Sequence, residues 1–158
     1  MIRDRRIRLE IVKESHKHFF HFYLANYVTF KTAPFQDEIF QLTNDEGAGN
    51  FFIVAFRGSS KSTIITTSYP IWAILGKQQK KFVLILCQTQ NQAKQAMMNL
   101  RAQLESNELL KSDLGPFREE STEWGSSSLV FSKLGARITA ASGTGGATAR
   151  YSRNGWAF

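Results

Sequence analysis

The feature that most constrains the fold of this chain is the stretch FFIVAFRGSSKSTII at residues 51–65, where a polar turn interrupts apolar sequence. The apolar run at 50–56 predicts a strand that is buried on both faces. From Lys61 to about Leu75 the sequence predicts a helix that is disturbed at Pro70. A turn between a strand and a helix directs backbone N–H groups and the helix N-terminus at one place. The stretch therefore predicts a phosphate-binding loop.

The residues of this turn partly match the phosphate-loop motif G-x-x-x-x-G-K-[ST]. Ala55 and Ser60 replace the two glycines of the motif, whereas Lys61, Ser62 and an internal Gly58 are present. Lys61 is predicted to reach the β- and γ-phosphates of ATP, and the Ser62 hydroxyl is predicted to bind Mg²⁺. A polar strand-to-helix turn with an incidental Lys-Ser pair is the alternative that the residues leave open.

An arginine inside the turn adds a second signal, because a turn alone does not require one. The donors of Arg57 can stabilise charge that develops on a triphosphate. A deviant glycine pattern with an arginine inside the loop resembles the ATPase of the large terminase subunit of tailed bacteriophages, a DNA-packaging motor. The resemblance implies an α/β P-loop NTPase fold of the ASCE type, a three-layer sandwich with a mainly parallel sheet.

The resemblance covers roughly residues 33–158 and implies ATP and Mg²⁺ as ligands. The segment APFQDEIFQL (33–42) is similar to the family's adenine-binding segment, in which Phe35 would contact the base and Gln36 would read the adenine edge. A short amphipathic helix with packing side chains is the alternative. The nucleotide-binding set that the resemblance implies is Phe35, Gln36, Ala55, Phe56, Arg57, Gly58, Ser59, Ser60, Lys61, Ser62 and Thr63.

The late segment SGTGGATARYSRNGW (142–156) is similar to the family's glycine- and arginine-rich loop before the Walker B strand. An arginine there reaches the ATP of a neighbouring subunit in some family members, and Arg150, with Arg153 second, is the candidate. A solvated loop or a contact with the DNA backbone is the alternative. Arg57, Lys61 and Arg150 form the catalytic set that the resemblance implies.

The rest of the chain predicts parallel strand–helix units. Residues 81–87 predict a second buried strand, Thr89 to about Glu108 a helix, and SLVF and ARITA two short strands joined at KLG. Residues 3–27 predict one helix whose aromatic residues belong to a core, and the three histidines are interpreted as surface and packing residues. The predicted division is a helical arm at 1–33 and a partial ATPase domain at 34–158.

The charge distribution favours a polyanionic partner. Lys and Arg outnumber Asp and Glu by 20 to 13, and no acid occurs from Gly47 to Leu104 or beyond Glu123. Such blocks favour nucleotide phosphates or nucleic acid, with ordinary solubility charge as the alternative. The resemblance implies double-stranded DNA, the portal protein and the small terminase subunit as partners, and a homo-oligomeric ring in the full-length protein.

The expected location is the cytoplasm of the bacterial host, where the motor docks at the procapsid during packaging. No run of 18 apolar residues occurs, so we expect no membrane-spanning helix. The single Cys87 excludes an internal disulfide framework and fits a reducing compartment.

The chain departs from the family pattern because no acidic residue follows either predicted buried strand. Phosphoryl transfer in such ATPases needs an Asp for Mg²⁺ and a residue that orients the attacking water. We therefore expect an N-terminal portion of a longer terminase, truncated before the Walker B strand and without the nuclease domain, which binds ATP but does not hydrolyse it. Another P-loop DNA motor, such as a helicase or a repair ATPase, and a non-enzymatic basic nucleic-acid-binding module are the alternatives.

Overall fold

The computed structural model describes residues 4–45 and 49–143, and the chain divides after Gln79 into two compact units. The N-terminal unit is helical, and the C-terminal unit carries a three-stranded sheet with helices, so the described architecture is mixed α/β. The predicted boundary at residue 33 falls inside the N-terminal unit. The functional division into an arm and an ATPase domain stays a prediction.

Two helices, rather than one, form the N-terminal segment: α1 at Arg5–Glu14 and α2 at His16–Tyr23. Ser15 lies between them with an extended backbone, and its hydroxyl accepts a hydrogen bond from the N–H of His18 at 3.3 Å. The predicted single helix over 3–27 is therefore wrong. A serine hydroxyl that caps the N-terminus of a new helix competes with the continuation of the old one.

A short 3₁₀ turn at Ala25–Tyr27 follows, and α3 then spans Pro34–Asn44. Pro34 is the first residue of α3, where its missing N–H costs nothing because the first N–H groups of a helix have no partner within the helix. The helix predicted around residues 36–42 is confirmed. Its Ile39 and Phe40 side chains are buried.

Helical structure begins again at Lys61 and runs through a π-helical segment, Thr63–Ser68, into α4 at Tyr69–Leu75. Pro70 is the second residue of α4 and cannot donate a hydrogen bond to the turn before it. The wide π turns end at Ser68, two residues before this proline, so the predicted helix with a disturbance near Pro70 is confirmed. Trp72 lies in α4 with its side chain fully buried.

His16 lies at the centre of the N-terminal unit and is fully buried. Its Nδ1 is 2.6 Å from the Thr43 hydroxyl, its Nε2 is 3.0 Å from the Ser68 hydroxyl, and its ring stacks on Trp72 at 5.3 Å. The Thr43 hydroxyl donates to the Phe40 carbonyl, so it must accept from His16. His16 is thus a neutral ring protonated on Nδ1 that joins α2, α3 and the π-helical segment.

Residues 50–56, predicted to be a buried strand, form no strand in the structure. Their apolar side chains are largely in solvent, since Phe52 and Val54 are each 96% exposed. An apolar run becomes a strand only where a neighbouring backbone satisfies its N–H and C=O groups. No described residue supplies that neighbour, so the prediction of a strand buried on both faces is wrong.

The sheet of the C-terminal unit contains β1 at Phe82–Cys87, β2 at Ser128–Phe131 and β3 at Ala136–Ser142, in the order β1-β3-β2. β1 runs parallel to β3, whereas β2 pairs with β3 in antiparallel fashion. Gly135 joins β2 to β3 with a left-handed φ of 58°. The two strands predicted at SLVF and ARITA are confirmed.

Two helices accompany this sheet: α5 at Gln90–Ser106 and α6 at Glu108–Leu114. α5 packs on β3 and β1, which confirms the predicted helix. The predicted parallel order of a strand at 50–56 and the strand at 81–87 is wrong, because β1 pairs in parallel with β3 instead. β1 lies at the edge of the described sheet, and Leu84 and Leu86 on one of its faces are exposed. The prediction that β1 is buried on both faces is therefore wrong.

Candidate phosphate-binding site

Two residues of the predicted phosphate loop have a left-handed backbone conformation. Gly58 has a φ of 86°, and Ser60 has a φ of 63°. A positive φ is ordinary for glycine but costs a serine about 1–2 kcal/mol, so tertiary structure must hold Ser60 in it. Ser60 stands at the second glycine position of the motif and takes the conformation that glycine supplies there.

Left-handed residues in a turn bring successive N–H groups toward one concavity, which suits an anion. A Cβ built on Gly58 would meet no atom within 4 Å, so the loop is open at that residue. The helix that follows begins with the N–H of Ile64 donating to the Ser60 carbonyl at 3.0 Å. The N–H groups just ahead of Ile64 therefore lie at a helix N-terminus, where an anion is favoured.

Gln36 connects this loop to α3. Its Nε2 donates to the Ser59 carbonyl at 3.1 Å, and its Oε1 accepts from the N–H of Ala33 at 3.0 Å. Both ends of the side chain are thereby engaged, and one remaining N–H of the amide stays available to a ligand. The structure therefore gives Gln36 a role in shaping the loop, while the predicted reading of adenine stays a prediction.

Lys61 folds back across the loop, where its Nζ donates to the Ala55 carbonyl at 3.1 Å. The ammonium group keeps two further donors. Exchanging this neutral carbonyl for a phosphate oxygen would convert an ordinary hydrogen bond into a charge-assisted one, which is about twice as strong. Lys61 therefore lies within its own loop, at the position where a bound phosphate can compete for it.

Three hydroxyls accompany the lysine, and they differ in exposure. The Ser59 side chain is 2% exposed, and its Oγ has no hydrogen-bond partner among the described residues. Ser62 is exposed and Thr63 is half-buried at the start of the helix. A buried hydroxyl without a partner is uncommon in a folded protein, so Ser59 Oγ is available to a bound oxygen or a water molecule.

Phe35 and Phe56 contact each other edge to face, with ring centroids 5.3 Å apart. Both line a cavity of about 300 Å³ whose remaining walls come largely from the exposed segment 52–55 and α3. Gln36 lines a different cavity, which also contains Gly58 and Ser60. The two residues predicted to contact the base therefore lie in separate cavities.

This second cavity has a volume of about 230 Å³ and contains residues that the motif comparison did not select. Tyr27 and Phe30 line it together with the loop residues Gly58 and Ser60. The sequence signal was present, because two aromatic residues precede the proline that opens α3. Tyr27 was assigned to a core on the basis of an aromatic helix, but it is 40% exposed.

Arg57 is exposed at the head of the loop, and Arg150 and Arg153 lie outside the described residues. The chain has no acidic residue from Gly47 to Leu104, so the loop carries only positive formal charge. A positive charge beside the N-terminus of a helix attracts phosphate. The described part of the site therefore has the electrostatics of an anion site.

The donor set fits a Mg²⁺ ion only as part of a nucleotide complex. Among the described residues, no group of three His, Cys, Asp or Glu side chains is placed to hold a metal. Mg²⁺ keeps several waters and often binds proteins through one or two ligands plus substrate phosphates. The exposed Ser62 hydroxyl at the helix start fits that manner of binding, and the structure offers no independent metal cage in residues 4–45 and 49–143.

Comparisons with protein-family models, curated proteins and solved structures gave no match to this chain. Within the described ranges, no helix is both long enough and apolar enough to cross a membrane. The candidate site therefore rests on the loop itself and the helix that follows it. The strand that should precede such a loop is absent from the described structure.

Proposed function

We propose that residues 55–63 bind the phosphate groups of ATP together with Mg²⁺. The observation that carries the proposal is the left-handed conformation of Ser60 immediately before Lys61. A serine is held in this conformation only where the surrounding structure requires it, and such strain is concentrated at ligand sites. Lys61 would contact the phosphates, Ser62 would bind Mg²⁺, and the buried Ser59 hydroxyl would find a partner in a phosphate oxygen.

The wider proposal is that the chain is the ATP-binding portion of a DNA-packaging motor that resembles the large terminase subunit, with a P-loop NTPase fold. The two parts of the sequence that contain Lys and Arg but no acid, residues 47–104 and those beyond Glu123, support double-stranded DNA as a partner. The portal protein, the small terminase subunit and a ring of identical subunits in the bacterial cytoplasm follow from the resemblance alone. Arg57 would stabilise charge in the transition state, and Arg150 would act on a neighbouring subunit's ATP.

The phosphate site is tested by titrating the 158-residue chain with ATP and Mg²⁺ in a calorimeter. Lys61→Ala should weaken binding by roughly tenfold to a hundredfold, because it removes a charge-assisted contact of about 1.5–3 kcal/mol. Lys94→Ala is the matched control. Lys94 lies exposed on α5, and the substitution removes the same charge from the other unit. The Lys94→Ala variant should therefore bind ATP as tightly as the wild type.

Circular dichroism and urea unfolding of each variant establish that it is folded before affinities are compared. Equal ATP affinity in wild type and Lys61→Ala would refute the proposed phosphate contact. A chain that ignores ATP but binds duplex DNA with an affinity that falls steeply with salt would instead be a basic nucleic-acid-binding module.

A further inference from the structure

We propose that the 230 Å³ cavity beside the phosphate loop holds the base of the bound nucleotide, with Tyr27 and Phe30 as its aromatic contacts. This inference rests on the proposed function and assigns the base to residues other than Phe35. The cavity is lined by Gly58 and Ser60, so it opens directly onto the loop. A nucleotide with its phosphates on the loop can therefore place its base in this cavity without crossing Phe56.

The wall of the cavity is fixed before any ligand arrives. The Nδ1 of His21 lies 2.8 Å from the Lys17 carbonyl, and its Nε2 lies 2.8 Å from the Thr32 hydroxyl. A carbonyl can only accept, so Nδ1 carries a proton and donates to Lys17. The first bond lies within α2 and fixes the ring, and the second ties Thr32 to α2, which reduces the ordering cost of binding beside it.

Phe30 is the side chain that the cavity explains best. It is 85% exposed, although a phenyl ring gains most by burial. A base that stacks on Phe30 or Tyr27 would cover this apolar surface, and stacking tolerates any base because each presents a π face. The side chains that line the cavity include no carboxylate that would repel the nearby phosphates.

The other cavity suits a base less well. It is lined by Phe35 and Phe56, which already contact each other, and by the carboxylate-bearing Glu38. Part of its wall is the segment 52–55, whose backbone pairs with no strand among the described residues. Its walls are therefore less fixed than those held by His21 and Thr32.

The experiment compares ATP with inorganic tripolyphosphate, each with Mg²⁺, as ligands of the 158-residue chain. ATP should bind more tightly than tripolyphosphate, because only ATP has a base to stack. Phe30→Ala should weaken the binding of ATP by roughly fivefold to a hundredfold, the loss expected for one stacking contact, and should leave the affinity for tripolyphosphate unchanged. Tyr27→Ala is the second variant, and circular dichroism checks that both are folded.

Two variants separate the possible failures. Phe35→Ala removes the aromatic ring of the other cavity and should leave the preference for ATP over tripolyphosphate in place. A preference lost in Phe35→Ala but kept in Phe30→Ala and Tyr27→Ala would overturn this inference while the phosphate site stands. Lys61→Ala should weaken the binding of both ATP and tripolyphosphate. A folded wild type that binds neither ligand would refute the proposed function and this inference with it.

Discussion

The burial of His16 predicts that the N-terminal unit loses stability in mild acid. Burial lowers the pKa of the His16 imidazole from 6.5 to about 3. The cause is geometric, because both ring nitrogens are used by neutral hydroxyl partners, Thr43 and Ser68, and aromatic rings enclose the rest. Protonation of Nε2 would turn an acceptor into a second donor and break the bond from Ser68.

The sign of the effect follows from proton linkage. Because the pKa of His16 is lowered in the folded state, the unfolded chain binds more protons between pH 6.5 and about pH 3. His16 therefore leaves stability unaffected above pH 6.5 and reduces it progressively as the pH falls through this window. Between pH 7.5 and pH 5 the expected loss is about 2 kcal/mol, from an unfolded pKa of about 6.5 and a folded ring that stays neutral.

Urea unfolding at pH 7.5 and pH 5, followed by circular dichroism, measures this loss. The stability of the whole chain also depends on pH for other reasons, so the quantity of interest is the difference between wild type and His16→Gln. The variant cannot ionise at this position and should lack about 2 kcal/mol of the pH dependence. His18→Gln is the matched control, since it removes an exposed histidine of the same helix and leaves the buried His16 in place.

A variant that does not fold would still leave a direct measurement on the wild type. The chain has 3 histidines, so the imidazole C2–H resonances are few enough to follow by NMR. One resonance should show no titration between pH 7.5 and pH 5. If all three titrate in that range while the protein stays folded, then His16 is not the buried neutral ring described here and the reasoning is refuted.

Two further predictions concern the phosphate loop. Ser60→Gly should raise the free energy of unfolding, by up to about 1.5 kcal/mol, since it removes about 1–2 kcal/mol of left-handed strain and increases the entropy cost of folding by about 0.5–1 kcal/mol. Ser62→Gly, at a helical φ of −66°, should instead lower it by about 0.5–1 kcal/mol, and urea titrations at neutral pH measure both. The 158-residue chain should release no phosphate from ATP and Mg²⁺, because residues 47–104 contain no carboxylate to orient the attacking water. Phosphate release that Lys61→Ala abolishes would contradict this expectation.

The sequence predicted local structure best where a single residue type determines it. Pro34 at the start of α3 and Pro70 after the π turns act through a missing N–H and a fixed φ, which need no partner. The strand at 50–56 failed for the opposite reason. Its apolar composition is compatible with burial, but a strand needs a neighbouring backbone, and the chain's own sequence does not say whether one is present.

The sequence also could not predict the side-chain roles that depend on partners distant along the chain. His16 could be interpreted only as a surface or packing residue, because Thr43 and Ser68, which fix its tautomer, lie 27 and 52 residues away. The aromatic residues before Pro34 were visible in the sequence, but the sequence alone did not connect Phe30 with the loop at 55–63. Its place beside Gly58 became visible only when the fold brought the segment before α3 against the loop.

The candidate phosphate loop has a left-handed residue at a position where the motif has glycine and this chain has serine. Without a glycine at the second motif position, Ser60 must be held in a left-handed conformation by its surroundings. The adjacent Ser59 carbonyl accepts from Gln36, and Gln36 is itself fixed by the N–H of Ala33. A side chain 23 residues earlier, at the start of α3, therefore helps to hold the loop. A comparison limited to the motif residues can miss a loop of this shape. Where the motif glycine is missing, a residue outside the motif can hold the left-handed backbone.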